Sequence, residues 1–330
     1  MMWLTWRQHR KQALFTAIGL AILAALMIPT GLTMHHMFND SGLPGCVRAI
    51  GDAALVPNTT QACGAAFTQF NSRFRTHGTV GVLFLFLPLL VGLFWGAPLI
   101  AREVEQGTHR LVWTQGVSRE HWAAVKFGLV GGVALVVSIA YGLGMSWWLA
   151  PLSRSGQNSR FNTFLFDMQG IVPIGYTLFA VALGIFAGTV WHKVLPAMAV
   201  TLVGFAGLRI ALTVLARPHY LTARTITYPL QNVTRQPNTY RGDWVLSTGI
   251  RDASGRMVAA NTQVACPPDP TGPGAAGCGT GLGIEPGSYN WQLYQPAGRF
   301  WAFQGIETGI FLALAAVLMY LAIRRIRRIA

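Results

Sequence analysis

Residues 79–100 read TVGVLFLFLPLLVGLFWGAPLI, and the chain then turns to AREVEQGTHRLVWTQGVSREHW over residues 101–122. The first stretch is 22 residues without a charge. About 20 apolar residues in a helix cross the roughly 30 Å of hydrocarbon in a bilayer, so it reads as a transmembrane span followed by a polar loop. Five further stretches read the same way: 13–34, 123–149, 170–191, 195–216 and 302–323. The first is too long for a signal-peptide core, and no small-x-small cleavage site follows it cleanly, so it reads as a retained helix. The expected fold class is an all-α polytopic membrane protein with six transmembrane helices.

Composition supports this class. Of 330 residues, 52% are hydrophobic and 11% charged, against about 25% charged in soluble domains. That balance argues against a soluble enzyme, a disordered tail or a nucleic-acid-binding domain. A net charge of +14 would suggest nucleic acid in a soluble chain; here it is divided between two sides of a membrane, and no nucleic-acid partner is expected. Six spans put both termini on one side, and the basic residues say which. Segments 1–12, 101–122, 192–194 and 324–330 carry about three times the basic density of the segments opposite. All three lysines, Lys11, Lys126 and Lys193, lie in or beside them, and Arg324-Arg325-Ile326-Arg327-Arg328 makes a strong final stop. Both termini are therefore expected in the cytoplasm. The scarcity of lysine beside arginine suits a GC-rich genome, hence a multi-pass protein of a bacterial cell membrane.

Residues 1–12, with Trp3, Trp6, Arg7, Arg10 and Lys11, read as a short amphipathic helix on membrane lipids or as a simple positive flank. The outside segments are 35–78, 150–169 and 217–301. Residues 244–250, the turn Asp252-Ala253-Ser254-Gly255 and Met257-Val258 read as a β-hairpin. Cys46 and Cys63 fall in the first outside loop, Cys266 and Cys278 in the last. An even count confined to the oxidising side predicts disulfides Cys46–Cys63 and Cys266–Cys278, with crossed pairing or free thiols as the alternatives; neither pair has zinc-type spacing. A small disulfide-stapled extracellular domain with some β structure is expected. Glycines four apart, Gly92–Gly96, Gly128–Gly132 and Gly184–Gly188, permit close helix approach.

No P-loop, H-E-x-x-H or G-x-S-x-G occurs, so no catalytic, metal or ATP site is expected in this chain. Two ionisable residues lie within spans, Arg209 and Glu307. Each is about 12 Å of helix from a flanking arginine, Arg217 or Arg299. A charge at that depth needs a partner or a wet cavity, so an intramembrane ion pair is expected, with separate snorkelling as the alternative.

One stretch has a family look. Ile100-Ala101-Arg102-Glu103-Val104-Glu105-Gln106-Gly107-Thr108, followed by Val117-Ser118-Arg119 and Lys126, resembles the type-2 permease subunits of ABC exporters. The variant residues 107–115, together with residues 3–10 and Arg217-Pro218-His219-Tyr220, resemble an actinobacterial branch. The resemblance implies that residues 101–122 hold a coupling helix seated in an ATP-binding subunit. It implies charged contacts from Arg102, Glu103 and Glu105 to the ATPase or to the amphipathic start, a turn set by Gly107 and Thr108, apolar anchors in Leu111 and Trp113, and further coupling residues in His109, Arg110 and Arg119. Partners would be two copies of an ATP-binding subunit, which bind ATP and Mg, and a second permease copy or homologue. The chain itself would be non-catalytic and cofactor-free, and its cargo amphipathic or apolar. The large outside loops depart from the simplest members. The competing reading is a membrane sensor whose outside domain binds a ligand.

Overall fold

The computed structural model describes residues 2–52, 61–107, 118–155, 159–230, 242–264, 284–285 and 287–328. Among the described residues, six helices are long and apolar enough to cross a membrane: Ala17–Asp40, Val82–Glu105, His121–Arg154, Val172–Trp191, Val194–His219 and Ala297–Arg327, spans one to six. The expected count of six is present. The helices outrun the apolar stretches because polar flanks continue the same backbone hydrogen bonding. At the start, α1 runs unbroken from Met2 to Asp40, so residues 2–12 are continuous with span one.

The described residues of the first loop are mostly helical. α2 (Leu43–Asp52) and α3 (Gln61–Gly81) are joined by the disulfide Cys46–Cys63. Closing a loop of this length removes about 3 kcal/mol of chain entropy from the unfolded state. α3 runs directly into span two, whose backbone changes form along its length: a 3₁₀ turn Val82–Phe86, α4 (Leu87–Val91), a π turn Gly92–Gly96 and α5 (Ala97–Glu105). Pro88 and Pro98 stand in the first turns of α4 and α5, where a missing N–H costs least.

The remaining helices are α6 (Arg119–Arg154), the short α7 (Thr163–Met168), α8 (Val172–Trp191), α9 (Val194–Ala211) and α10 (Phe300–Arg328). Span four is the centre: 67% of an 18-residue apolar window in it is buried, against 17% in span one and 11% in span five. Its glycines explain the position. A Cβ on Gly184 would lie 2.6 Å from the Ala97 nitrogen and 2.7 Å from the Gly92 oxygen, and one on Gly188 would lie 2.9 Å from the Ala97 oxygen. In return, Cβ atoms on Gly92 and Gly96 would come within 2.6 Å of the span-four backbone at Ala180 and Val181. The two G-x-x-x-G runs thus face each other. Gly128 and Gly132 have nothing within 4 Å of such an atom, so the third run makes no close approach among the described residues.

At the end where spans three and five finish lies one antiparallel sheet, β1 (Arg224–Pro229), β2 (Trp244–Arg251), β3 (Met257–Ala260) and β4 (Tyr289–Gln295), in the order β1-β4-β2-β3. The expected hairpin is β2–β3. Its turn is held by Asp252, whose Oδ1 accepts from the backbone N–H of Ser254 and Arg256, both at 2.9 Å, and Gly255 takes the positive φ of +84°. The Ser254 hydroxyl, the Arg256 backbone N–H and the Arg256 guanidinium hold the Asp252 carboxyl below the usual carboxylate range. Trp244 joins the sheet to the bundle, stacking on Phe161 with centroids 5.5 Å apart and meeting Phe303 edge-on. The described residues of the two long loops hold the expected disulfide, on a helical pair packed with span one, and the expected β structure, a sheet that meets span six through Trp244 and Phe303. Cys266 and Cys278 lie outside the described residues.

Candidate functional site

Two constellations of charge are built into the helices. The first lies at the sheet end. α7 begins at Asn162, whose side chain accepts from the Phe164 N–H at 3.1 Å, an ordinary N-cap. It ends at Met168, and two residues on Gly170 takes φ +69° against the side chain of Gln304. That amide bridges two elements: Oε1 accepts from the Ile171 and Val172 N–H groups, both at 3.0 Å, and Nε2 donates to the Phe166 carbonyl at 2.9 Å. Gln304 thereby satisfies two N–H groups that the start of span four would leave orphaned, and it fixes the short helix that carries Asp167.

Asp167, 2% exposed, meets two arginines of span five. Its Oδ2 accepts from Arg209 Nη2 at 2.7 Å, and its Oδ1 accepts from Arg217 Nη2. Arg217 also donates to Glu307 of span six, from Nε at 2.9 Å and from Nη2 at 2.7 Å. The Tyr176 hydroxyl of span four accepts from Arg217 Nη2 at 3.2 Å and donates towards Glu307, with Asp167 Oδ1 at 3.0 Å. Tyr220 donates to Glu307 Oε2 at 3.3 Å, and its hydroxyl is pushed above its ordinary pKa by burial and by that carboxylate, so it stays protonated. The guanidinium of Arg217 lies 4.3 Å over the Phe166 ring. Two cations and two carboxylates balance to zero, which lets the group persist where single charges would be prohibitive.

The expected Arg209–Glu307 pair is corrected here. Both residues belong to one cluster, but Arg209 pairs with Asp167 and Glu307 pairs with Arg217. The reason lies in two elements. Span five continues through a π turn, Leu212–Ala216, and a 3₁₀ turn, Arg217–His219, which carry Arg217 inside at 1% exposure. Asp167, expected in an outside loop, is brought in by α7.

The second constellation lies at the opposite end and includes Arg102, Glu103, Glu105 and Gly107. Glu103 of span two pairs with Lys126 of span three, whose ammonium also sits 4.6 Å over the Trp122 ring. Glu105 Oε2 accepts from the Val194 N–H at 3.1 Å, at the start of span five, where helix polarity favours a carboxylate. Gly107 closes α5 at φ +70°, its N–H donating to the Val104 carbonyl at 3.2 Å, a glycine C-terminal stop. Ser118 caps α6, accepting from the His121 N–H at 3.3 Å, with Arg119 opening the helix. Arg102 is exposed. Thr108, His109, Arg110, Leu111 and Trp113 lie outside the described residues. Glu103→Gln should cost about 1.5–3 kcal/mol, the range for hydrogen bonds to charged groups. Thermal unfolding in detergent measures it, and an unchanged midpoint would show that the pair contributes nothing.

A family model described as ABC-2 membrane transporter related matches residues 17–217. The chain belongs to the ABC-2 membrane transporter-related family. Neither the curated proteins nor the solved structures yield a match. The family places this multi-pass chain among transporter permeases. The matched range holds the first five spans, both ends of the Glu103–Lys126 pair, Asp167, Arg209 and Arg217. The sheet and Glu307 lie beyond it.

Sequence reasoning missed Asp167 and Gln304. A signal for Asp167 existed: span five and its end offer two arginines, Arg209 and Arg217, to the single acid Glu307. The run Phe164-Leu165-Phe166-Asp167-Met168 sets an acid among apolar neighbours, beside span four. Gln304 gives no such signal, because an amide in a span reads the same whether it is buried or lipid-facing.

Proposed function

We propose that the chain is the membrane subunit of an ATP-driven exporter in a bacterial cell membrane, of the actinobacterial branch. It works as a dimer with a second permease copy or homologue. Two separate ATP-binding subunits hold ATP and Mg. The termini and residues 101–122 face the cytoplasm, and the cargo is amphipathic or apolar.

One observation carries this reading beyond the family. The last turns of span two are tied to both span three, through Glu103–Lys126, and span five, through Glu105 and the Val194 N–H. The loop that follows Gly107 is the segment expected to dock on the ATPase. A displacement of that loop passes through α5 to three spans at once, as coupling requires of a two-state element.

A tagged pull-down from native membranes in mild detergent, with an ATPase assay, tests the proposal. A stoichiometric P-loop ATPase should copurify. Gly107→Val places a β-branched residue at φ +70°, costing about 1–2 kcal/mol at that turn. It should insert normally yet lower transport-coupled ATP hydrolysis by about tenfold. Absence of any ATPase partner while the dimer survives would turn the reading to the membrane sensor.

A further inference from the structure

Between span two, α7 and span five lies a cavity of about 380 Å³. Phe86, Leu89, Phe205 and Ile210 form much of its wall, and Asp167 and Arg209 lie at its polar side. At about 30 Å³ per molecule this is room for about a dozen waters, each needing two to four polar partners. Besides the ion pair, only the hydroxyls of Thr163 and Thr213 are at hand among the lining side chains. Water is therefore a poor occupant and an apolar chain a good one. The mouth opens sideways, since Phe86 and Ile210 are 49% and 64% exposed.

The polar side is not neutral towards a ligand. The Arg209 side chain is 12% exposed and that of Asp167 only 1%, so an incoming group meets the cation. Arg209 spends one N–H on Asp167 and one on the Leu85 carbonyl at 3.3 Å. A guanidinium carries five, which leaves donors for an acceptor, best a carboxylate. Size narrows the choice further. The Arg209 and Arg217 guanidinium groups meet on the one Asp167 carboxylate, so the remaining Arg209 donors stand beside that pair at the polar side of the cavity. A single-chain acid brings one head and one apolar chain there, whereas a phospholipid would have to bring two chains to a cavity of about 380 Å³.

We propose that this cavity binds one amphiphilic acid per chain, with its carboxylate on Arg209 and its apolar chain against Phe86, Leu89, Phe205 and Ile210. The proposal deepens the transporter reading by naming the class of cargo, but binding itself needs neither ATP nor a partner, so the two fail separately.

The test uses the whole chain in phosphatidylcholine nanodiscs without ATPase. The probe is nitroxide-labelled stearate, with its methyl ester and labelled phosphatidylglycerol as comparisons, and immobilised label is read by electron paramagnetic resonance. One stearate site per chain is expected, favoured over the ester by about tenfold or more. Ala206→Trp, which fills the cavity while keeping both Asp167 and Arg209, should abolish the site while the unfolding midpoint holds. Arg209→Gln should erase the preference for acid over ester. Equal binding of ester and acid by the unaltered protein, or a stearate site that survives Ala206→Trp, overturns the proposal. Phosphatidylglycerol binding as tightly as stearate also overturns it, in favour of a bilayer lipid. Absence of a stearate site combined with loss of the dimer in Ala206→Trp overturns it too, and gives this face to a second copy of the chain.

Discussion

Changing Arg217 to methionine is expected to destabilise the protein by about 3–5 kcal/mol, the range for removing one partner of a buried ion pair. Arg217 supplies the cation that Glu307 binds at 2.7 and 2.9 Å. Without it, Glu307, which is fully buried, retains only the hydroxyls of Tyr176 and Tyr220. Asp167 is better protected, because Arg209 remains. The damage should therefore concentrate on span six. A second change discriminates this from lost packing. In Arg217→Met with Glu307→Leu, both charges are gone and apolar side chains fill the volume, an exchange that is often neutral or stabilising. The double variant should recover at least about 2 kcal/mol of what the single one loses, well above the roughly 0.6 kcal/mol average of interhelical hydrogen bonds in membranes. Unfolding in detergent, read as a complete double-mutant cycle, decides. A double variant no more stable than Arg217→Met would mean that the arginine matters for its bulk, and the charge account would fail.

The legible and illegible parts of this fold divide along physical lines. Length and apolarity of a run fix whether a helix can cross, so the six spans could be read from residues alone. The hairpin at Asp252–Gly255 was legible too, because its turn chemistry is local. What could not be read was the end of a helix that carries polar residues inwards. Span five loses its apolar character near Ala216, yet its backbone continues through a π turn and buries Arg217. Whether a flanking arginine snorkels or turns inwards depends on a partner from another segment, here Asp167 on a six-residue helix. No periodicity announces a helix that short. The helices of the first loop were not legible for a related reason: α2 and α3 are mixed in composition, and they are held by packing with span one and by the Cys46–Cys63 bond. At the motif end, the charges of residues 102–105 were recognisable, whereas their partners Lys126 and the Val194 N–H lie 23 and 89 residues away.

Gly184→Leu is expected to be a damaging change, and Gly128→Ala a harmless one, although both sit in G-x-x-x-G runs. An alanine in place of a mid-helix glycine gains up to about 1 kcal/mol of helix propensity, and at Gly128 a Cβ meets nothing within 4 Å. At Gly184 the same atom meets the Ala97 nitrogen at 2.6 Å and the Gly92 oxygen at 2.7 Å. These are backbone atoms, so no rotamer change relieves the clash, and overpacking of this kind costs about 1–3 kcal/mol or more. Even Gly184→Ala should therefore lose stability despite its better propensity, and leucine should push spans two and four apart. The consequence reaches beyond stability. Span two ends in α5, which carries Glu103 to Lys126 and Glu105 to the Val194 N–H. Its position is set by the glycine contact with span four. Displacing it should weaken both links and expose Lys126, which is 4% exposed in the native packing. Unfolding midpoints of Gly184→Ala, Gly184→Leu and Gly128→Ala, together with acylation of Lys126 by a lysine-reactive probe, test the chain of cause directly. Rapid labelling of Lys126 in Gly184→Leu and slow labelling in Gly128→Ala is the expected pattern. Equal labelling in the two would separate the glycine contact from the motif and leave span two positioned by something other than span four.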